Sequence, residues 1–310
     1  MKAAVVTAFD APPRYLDFPD PVARGKDEEV VDVLAAGLHP RVRSQANGSH
    51  YTSTGALPLV PGIDAVVRDP EGRIRYTVLD DSTLGTMAER TVIETDRSVV
   101  LPDGTDPVLM AAAMNPAMSS WVALRQRIGF GARQRVLILG ATGNAGRMGI
   151  QVAKLLGAAQ VIAAGRNEAG LTGLGGLGAD QTCTFDQLAA AADVDVVLDY
   201  VWGQPAARAM VDILTARADR SRPLTWVEIG SVAGLEAPVP SAALRSARLT
   251  IVGSGIGSVP GRDFASEIPE LAAAVAKGSF DVRARAVPLA NVEQAWTDAA
   301  HTTDRIVLVP

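Results

Sequence analysis

Between residue 1 and about residue 101 the apolar positions fall in short runs, KAAVVTAF, EEVVDVLAAG, DAVVRD, RIRYTVL and AERTVIE, separated by Gly, Pro, Asp and Asn. Runs of this length, rich in Val and Ile and bounded by turn residues, predict strands. Together they predict a β-rich, partly open barrel or sandwich. From about Pro107 the period changes: PVLMAAAMNPAMSSWVALRQRIG predicts a broken helical segment, with a domain boundary near it. Strands and helices then alternate through RVLILG, AGRMGIQVAKLLG, QVIAAG, a short Gly-rich helix, QTCTF, DVDVVLDY, QPAARAMVDILTA, TWVEIG and LTIVGSG. These strands are continuous apolar runs, the mark of a parallel sheet covered on both faces by crossover helices. The expected fold class is therefore α/β, a doubly wound parallel sheet joined to a β-rich domain. The tail adds a helix at SEIPELAAAVAKG, another near VEQAWTDAA, and a last strand RIVLVP that can return to the first domain.

At 310 residues the chain suits two domains. A formal net charge of -5 gives no basic surface for a polyphosphate, so nucleic acid is not an expected partner. The opening MKAAVVTAFDAPPRY lacks the basic region and long apolar stretch of a secretory signal, and no segment has the apolar length of a membrane span. The single cysteine, Cys183, excludes an internal disulfide framework and suits the reducing cytoplasm; it lies in an apolar run and reads as inert core. Asn47, Gly48 and Ser49 form a glycosylation-like triplet that reads as a turn in a cytoplasmic chain. No internal repeat is present.

The chemistry is most legible at RVLILGATGNAGRMGIQVAKLLG. A buried strand ends in Gly140, a helix begins near Ala145, and Gly140, Gly143 and Gly146 are spaced G-x-x-G-x-x-G, with Ala141, Thr142, Asn144 and Ala145 between them. Glycines there permit a tight turn and let backbone amides approach a pyrophosphate at the positive end of the helix. The second strand ends in VIAAGRNEAG, where a site selective for NAD would place a carboxylate about 20 residues beyond the loop. Arg166 and Asn167 stand there instead. A guanidinium binds a 2′-phosphate through paired charge-assisted hydrogen bonds, so the expected cofactor is NADPH. The competing reading makes Arg166 a solvated loop residue and gives the ribose to Glu168.

The loop Ala141–Gly146 with Gln151 after it, A-x-G-x-x-G-x-x-x-x-Q, looks like the signature of the quinone oxidoreductase and zeta-crystallin branch of the medium-chain dehydrogenases/reductases. LPLVPGIDAVV, GTMAERTVI, VVLPDG, VLDYVWG, WVEIGSVAG and RIVLV resemble that branch's landmarks in order. The resemblance implies a Rossmann domain over residues 116–264 and a split, GroES-like catalytic domain over residues 1–115 and 265–310. It also implies a homodimer joined through the sheet edge at LTIVGSG and a small-molecule substrate. Tyr200, Gly230, Ser231, Ser254, Gly255 and Arg305 fall where the family approaches the cofactor, with a surface salt bridge as the other reading of Arg305. Asn115 and Trp121 fall where the family positions the nicotinamide or lines the cleft, and Trp121 equally suits packing between domains. Zinc-dependent relatives carry Cys near position 39, His and Glu at 63 and 64, and Cys or Asp near 115. This chain has His39, Ile63, Asp64 and Asn115, too few ligands for a catalytic zinc, so no metal is expected. The stretch between Val67 and Gly85 is also short for the family.

Without a metal, hydrogen bonds must stabilise the charge that develops on the substrate oxygen, which suits quinones and α,β-unsaturated carbonyls because the charge spreads. The resemblance places Tyr51 and His39 toward the substrate: the Tyr51 phenol can donate to the oxyanion, and His39 can donate or relay a proton at neutral pH. The other reading makes both pocket walls and leaves protonation to solvent. Arg43 reads as a solvated charge. A short-chain dehydrogenase is excluded because Gln204, not Lys, stands four residues after Tyr200. The alternative to an enzyme is a non-catalytic, NADPH-binding structural or sensor protein.

Overall fold

A computed structural model describes residues 1–310. The chain divides into two compact units, Met1–Asn115 with Glu267–Pro310, and Pro116–Ser266.

The first unit opens with a hairpin, β1 (Lys2–Val5) antiparallel to β2 (Arg14–Asp17). β3 (Glu28–Gly37) follows and is the longest strand. It leads into a helix, α1 (Pro40–Ala46), which the hydrophobic pattern did not predict. The local signals were present: Pro40 supplies a helical φ at the first turn, His39 before it is extended, and Gly48 beyond the end has φ +71. β4 (Asp64–Arg68), β5 (Ile74–Val78), β6 (Arg90–Glu94) and β7 (Ser98–Val100) complete the amino-terminal part, and α2 (Pro107–Val122) runs out of it. The predicted break does not fall at the internal proline. α2 continues through Pro116, held by the burial of Met110, Ala113, Met114 and Ala117, and ends in a π-helical turn at Ala123–Arg127. Packing here outweighs the hydrogen bond that proline removes.

The second unit contains β8 (Arg135–Leu139), α3 (Asn144–Leu155), β9 (Gln160–Gly165), the short α4 (Glu168–Leu171), β10 (Gln181–Thr184), β11 (Val196–Asp199), α5 (Gly203–Ala216), β12 (Leu224–Glu228), α6 (Ser241–Arg245) and β13 (Leu249–Gly253). The six strands form one parallel sheet in the order β10-β9-β8-β11-β12-β13. That is the 3-2-1-4-5-6 order of a dinucleotide-binding Rossmann sheet, whose switch point lies between the first and fourth strands. The apolar runs are buried as the sequence requires: every residue of β11, and all but the first of β8 and β9, is buried. Leu137, Ile162, Val197, Met210, Ile213 and Trp226 centre its core.

α7 (Gly261–Ala276) leads back to the first unit, where β14 (Ala284–Pro288), α8 (Val292–Asp298) and β15 (Arg305–Val309) complete it. β15 pairs parallel with β14 and antiparallel with β3, giving a sheet ordered β14-β15-β3-β4-β5-β7 with β6 also on β3. No helix is long and apolar enough to cross a membrane.

Candidate active site

In the second unit the carboxyl ends of β8 and β11 meet at the switch point. Gly140 takes φ +83, and its amide and that of Ala141 both donate to Ala164 O, at 3.1 and 3.0 Å, tying the turn to the end of β9. Gly143, exposed and extended, caps α3; its amide donates to Gly140 O at 3.2 Å. Gly146 lies so close to the strand end that an added Cβ would sit 2.3 Å from Gly140 O and 2.7 Å from Ala141 Cα. Asn144 and Ala145 form the first turn of α3. Thr142 packs its methyl against Gly165 and Gly170, joining this loop to the turn after β9. In that turn Arg166 is exposed, and Asn167 caps α4 by accepting from Gly170 N at 2.9 Å. Asn167 thus has a structural task, while Arg166 is the cation at the site of the missing carboxylate.

Across the switch point, Asp199 ends β11 with no exposure. Its Oδ1 accepts from the amides of Val201 and Trp202 at 2.8 and 2.9 Å, and its Oδ2 from Trp226 Nε1 at 2.9 Å. Burial raises its pKa above the ordinary carboxylate value. This carboxylate, which sequence reasoning missed, fixes a turn containing positive φ at Trp202 and Gly203. Tyr200 is buried in the same turn with its hydroxyl 3.4 Å from Ser119 Oγ, and burial pushes its phenol up to about 12. Gly230 donates to Asp199 O at 3.1 Å, and a Cβ there would meet Tyr200 O at 3.3 Å. Ser231 follows β12, and Ser254 follows β13 with its amide on Glu228 O at 2.7 Å. Trp121 is buried in this unit beneath the Arg125 guanidinium, 5.0 Å from its ring centroid. Cys183 is buried in β10, and desolvation raises its thiol to about 11, so it is held as an unreactive thiol.

In the first unit His39 is 1 % exposed. Its Nε2 lies 2.8 Å from Asp64 Oδ1, Asp64 Oδ2 accepts from Tyr76 Oη at 2.9 Å, and Asp64 O accepts from Thr86 Oγ1 at 2.9 Å. Burial lowers the His39 pKa; Asp64 pulls it up, and Arg305 and Arg41 push it down further. His39 is therefore neutral at pH 7, with its ring proton directed at Asp64. The expectation that it donates or relays a proton now involves this pairing, with Nδ1 as the nitrogen that Asp64 leaves free. Tyr51 lies on the loop after α1, 72 % exposed, its ring centroid 4.2 Å from that of His50. Asn115 lies half-buried in α2.

Two basic residues also differ from their sequence readings. Arg305 makes no surface salt bridge: it is buried, its Nη1 donates to Leu38 O at 3.0 Å, and desolvation lowers its pKa to about 10. Arg43 is not merely solvated, since its Nη1 donates to Trp296 O at 2.6 Å and its guanidinium lies 5.4 Å from the Trp296 ring centroid. Beside α1, Arg41 joins Thr52 and Asp81, and the Thr52 hydroxyl bonds both Asp81 and His50. The sequence reading singled out none of Arg41, Thr52 and Asp81; only their fold-dependent meeting distinguishes them.

No family model matches the chain. It is 31% identical over 360 aligned residues to a probable NADPH-dependent quinone reductase of Emericella nidulans, covering all of both chains. It is 29% identical over 171 residues to the 2-methylene-furan-3-one reductase of Solanum lycopersicum, covering 50% of this chain and 44% of that one. Among solved structures, the quinone oxidoreductase of Thermus thermophilus, also known in complex with NADPH, superposes with a TM-score of 0.82 at 25% identity over 100% of both chains. The chain belongs to the quinone oxidoreductase family of medium-chain dehydrogenases/reductases, with the Rossmann and GroES-like domains of that family.

Proposed function

We propose that this protein is an NADPH-dependent reductase that transfers a hydride to a quinone or an α,β-unsaturated carbonyl without zinc. The observation that carries the reading is the end-to-end similarity to a quinone reductase, beside which this chain has a glycine loop at the switch point. The loop suits a dinucleotide: Gly143 is exposed, and a Cβ there would meet only Gly140 O, at 3.7 Å, so backbone rather than side chain faces outward. Gly140–Gly146 would hold the pyrophosphate and Arg166 the 2′-phosphate, with Tyr200, Gly230, Ser231 and Ser254 bordering the same carboxyl edge. NADPH, when bound, supplies the hydride.

Zinc independence is supported by the state of the candidate ligands. Ile63 and Asn115 stand where further donors would be needed, so with His39 and Asp64 the set falls short of the three good ligands a catalytic zinc requires. The Tyr51 phenol is the side chain we assign as donor to the reduced oxygen, with solvent supplying the proton. Charge delocalised over an enolate or hydroquinone anion needs less stabilisation than an isolated alkoxide. We further propose a homodimer joined along β13, one of the two edge strands of the parallel sheet; light scattering at micromolar concentration tests it.

The test of function is NADPH oxidation with a panel of quinones and enones, beside calorimetric titration of NADPH alone. Turnover of at least one class supports the reading. Tight NADPH binding with no turnover of any panel member would replace it by a non-catalytic nucleotide-binding role.

A further inference from the structure

Asp64 is held on three sides. The fully buried phenol of Tyr76 donates to its Oδ2 at 2.9 Å, Thr86 Oγ1 donates to its backbone carbonyl at 2.9 Å, and Oδ1 is left facing His39 Nε2 at 2.8 Å. An ionised carboxylate only accepts hydrogen bonds, so the Nε2 position carries the imidazole proton. The groups that set the charge of the ring are Asp64, which favours the imidazolium, and Arg305 and Arg41, which oppose it together with burial. The Tyr76 phenol stays protonated beside Asp64. The ring therefore holds one proton, and Nδ1 is a bare lone pair.

That lone pair has no partner, although the side chain is 1 % exposed. A buried acceptor without a donor weakens the fold, and such atoms are rare enough to call for a reason. The neighbouring cations add donors to the account: Arg305 Nε and Arg41 Nε and Nη1 are likewise buried without partners. A carbonyl oxygen would serve the guanidinium groups and leave His39 Nδ1 unmet. A hydroxyl both donates and accepts, so it can meet the Nδ1 lone pair, which a carbonyl cannot, and can also accept from a guanidinium N–H.

We infer that His39 is a hydroxyl-recognising residue, its Nδ1 accepting from an alcohol on the acceptor, so that the preferred acceptors carry a hydroxyl beside the conjugated carbonyl. Asp64 and Tyr76 act as positioning residues that fix the tautomer. The inference rests on the reductase reading for the identity of the ligand as an acceptor, but not for the state of the ring.

Two measurements decide it. The ring nitrogens of His39 are read by 15N NMR at pH 7, with assignment by comparison with His39→Phe. Nδ1 is expected unprotonated and Nε2 protonated, and Nδ1 is expected to shift on adding 4-hydroxycyclohexanone but not cyclohexanone. In steady-state kinetics with NADPH, 4-hydroxy-2-cyclohexenone is expected to have a KM about tenfold below that of 2-cyclohexenone, the worth of one buried hydrogen bond. His39→Phe is expected to bring that ratio to about one, a comparison in which general damage to the enzyme cancels. A protonated Nδ1 overturns the proposal. So does a ratio near one in the unaltered enzyme, which would leave the lone pair to a buried water only. If neither enone is reduced although NADPH binds, the reductase reading fails. The Nδ1 titration with the two saturated ketones then settles hydroxyl recognition alone, its presence supporting and its absence overturning it. Should His39→Phe not fold, the spectrum and the KM ratio of the unaltered protein still decide.

Discussion

The three glycines after β8 are not equivalent, and the difference predicts opposite phenotypes for the same substitution. In Gly146→Ala the new methyl would lie 2.3 Å from Gly140 O, 2.7 Å from Ala141 Cα and 2.9 Å from Gly140 C. All three atoms are backbone, so no rotamer change relieves the overlap, and α3 must move away from the end of β8. Overpacking of this kind costs about 1 to 3 kcal/mol. For a unit of this size that is a fall in melting temperature of about 2 to 12 °C, without ligand. In Gly143→Ala the methyl meets nothing nearer than Gly140 O at 3.7 Å, and φ -78 suits alanine. The loss of a tolerated cap residue and the gain from a stiffer unfolded chain are each below about 1 kcal/mol and opposite in sign. Its melting temperature should therefore stay within about 2 °C. Yet Gly143 is exposed at the amino end of α3, where a pyrophosphate would approach, so its methyl should weaken NADPH by about tenfold or more, the equivalent of one charge-assisted hydrogen bond. Differential scanning calorimetry of the ligand-free proteins and titration calorimetry with NADPH separate the two effects. An unchanged melting temperature in Gly146→Ala would refute the steric argument. Unchanged NADPH affinity in Gly143→Ala would refute the assignment of the loop as the pyrophosphate cradle.

Further expectations concern single side chains. Arg166→Ala should weaken NADPH by about 10- to 100-fold and leave NADH nearly unchanged in calorimetric titration, since a guanidinium–phosphate pair contributes on the order of 1.5 to 3 kcal/mol; equal losses for both nucleotides would assign Arg166 a structural task. Turnover should survive exhaustive chelation, and stoichiometric zinc whose removal abolishes activity would overturn the metal-free reading. Tyr51→Phe should lower kcat more for an enone than for an easily reduced quinone while leaving NADPH affinity alone, with a loss of up to about 2.7 to 4 kcal/mol if the phenol is a main oxyanion donor; unchanged kcat for both acceptors would make it a wall. The His50 pKa is lowered to about 4, chiefly by burial and then by Arg41. The unfolded chain therefore binds a proton first as pH falls, and the contribution of His50 to stability, whole above pH 6.5, is lost between 6.5 and 4. Urea titrations of His50→Gln should show a shallower loss over that window, and parallel curves would refute the linkage.

The two units differ in how far their structure was legible along the chain. The parallel sheet was readable because its strands are buried on both faces and need no partner to be recognised, and because the glycine spacing sits between a strand and an amphipathic helix. The strands β1, β3, β4, β5 and β6 were readable from short apolar runs. α1 was not, because seven residues leave too little room for a hydrophobic period, though Pro40 and Gly48 mark its ends. That α2 runs on through Pro116 has the converse reason. A proline is a local signal, and the burial of Met110, Met114 and Ala117 that overrides it is a property of the folded chain.

For the candidate site, the sequence named residues but not the directions in which they face, and direction decided their chemistry. His39 was singled out as a polar group facing the substrate, and the partner that fixes its ring lies 25 residues away, out of reach of any local pattern. That partner is set by strand register: Asp64 pairs with Val78 and Val66 with Tyr76, so Tyr76 is the diagonal neighbour of Asp64 on the same face of the β4–β5 hairpin. The alternation of a strand would have suggested this much had the hairpin register been assigned, because residues two apart share a face. The approach of His39 is another matter, since it follows β3 and enters through the pairing of β3 with β4, which is interrupted by a register shift between Val33 and Ala35. An irregularity of that kind leaves an extra residue unpaired and re-aims the side chains that follow, and it has no sequence signature here. Arg305 shows the same limit: its charge was legible, but its place at the start of β15, turned inward to Leu38 O, depends on that strand returning to β3. The nucleotide loop escapes this dependence because its function belongs to backbone amides, whose direction is fixed by the local strand–turn–helix path.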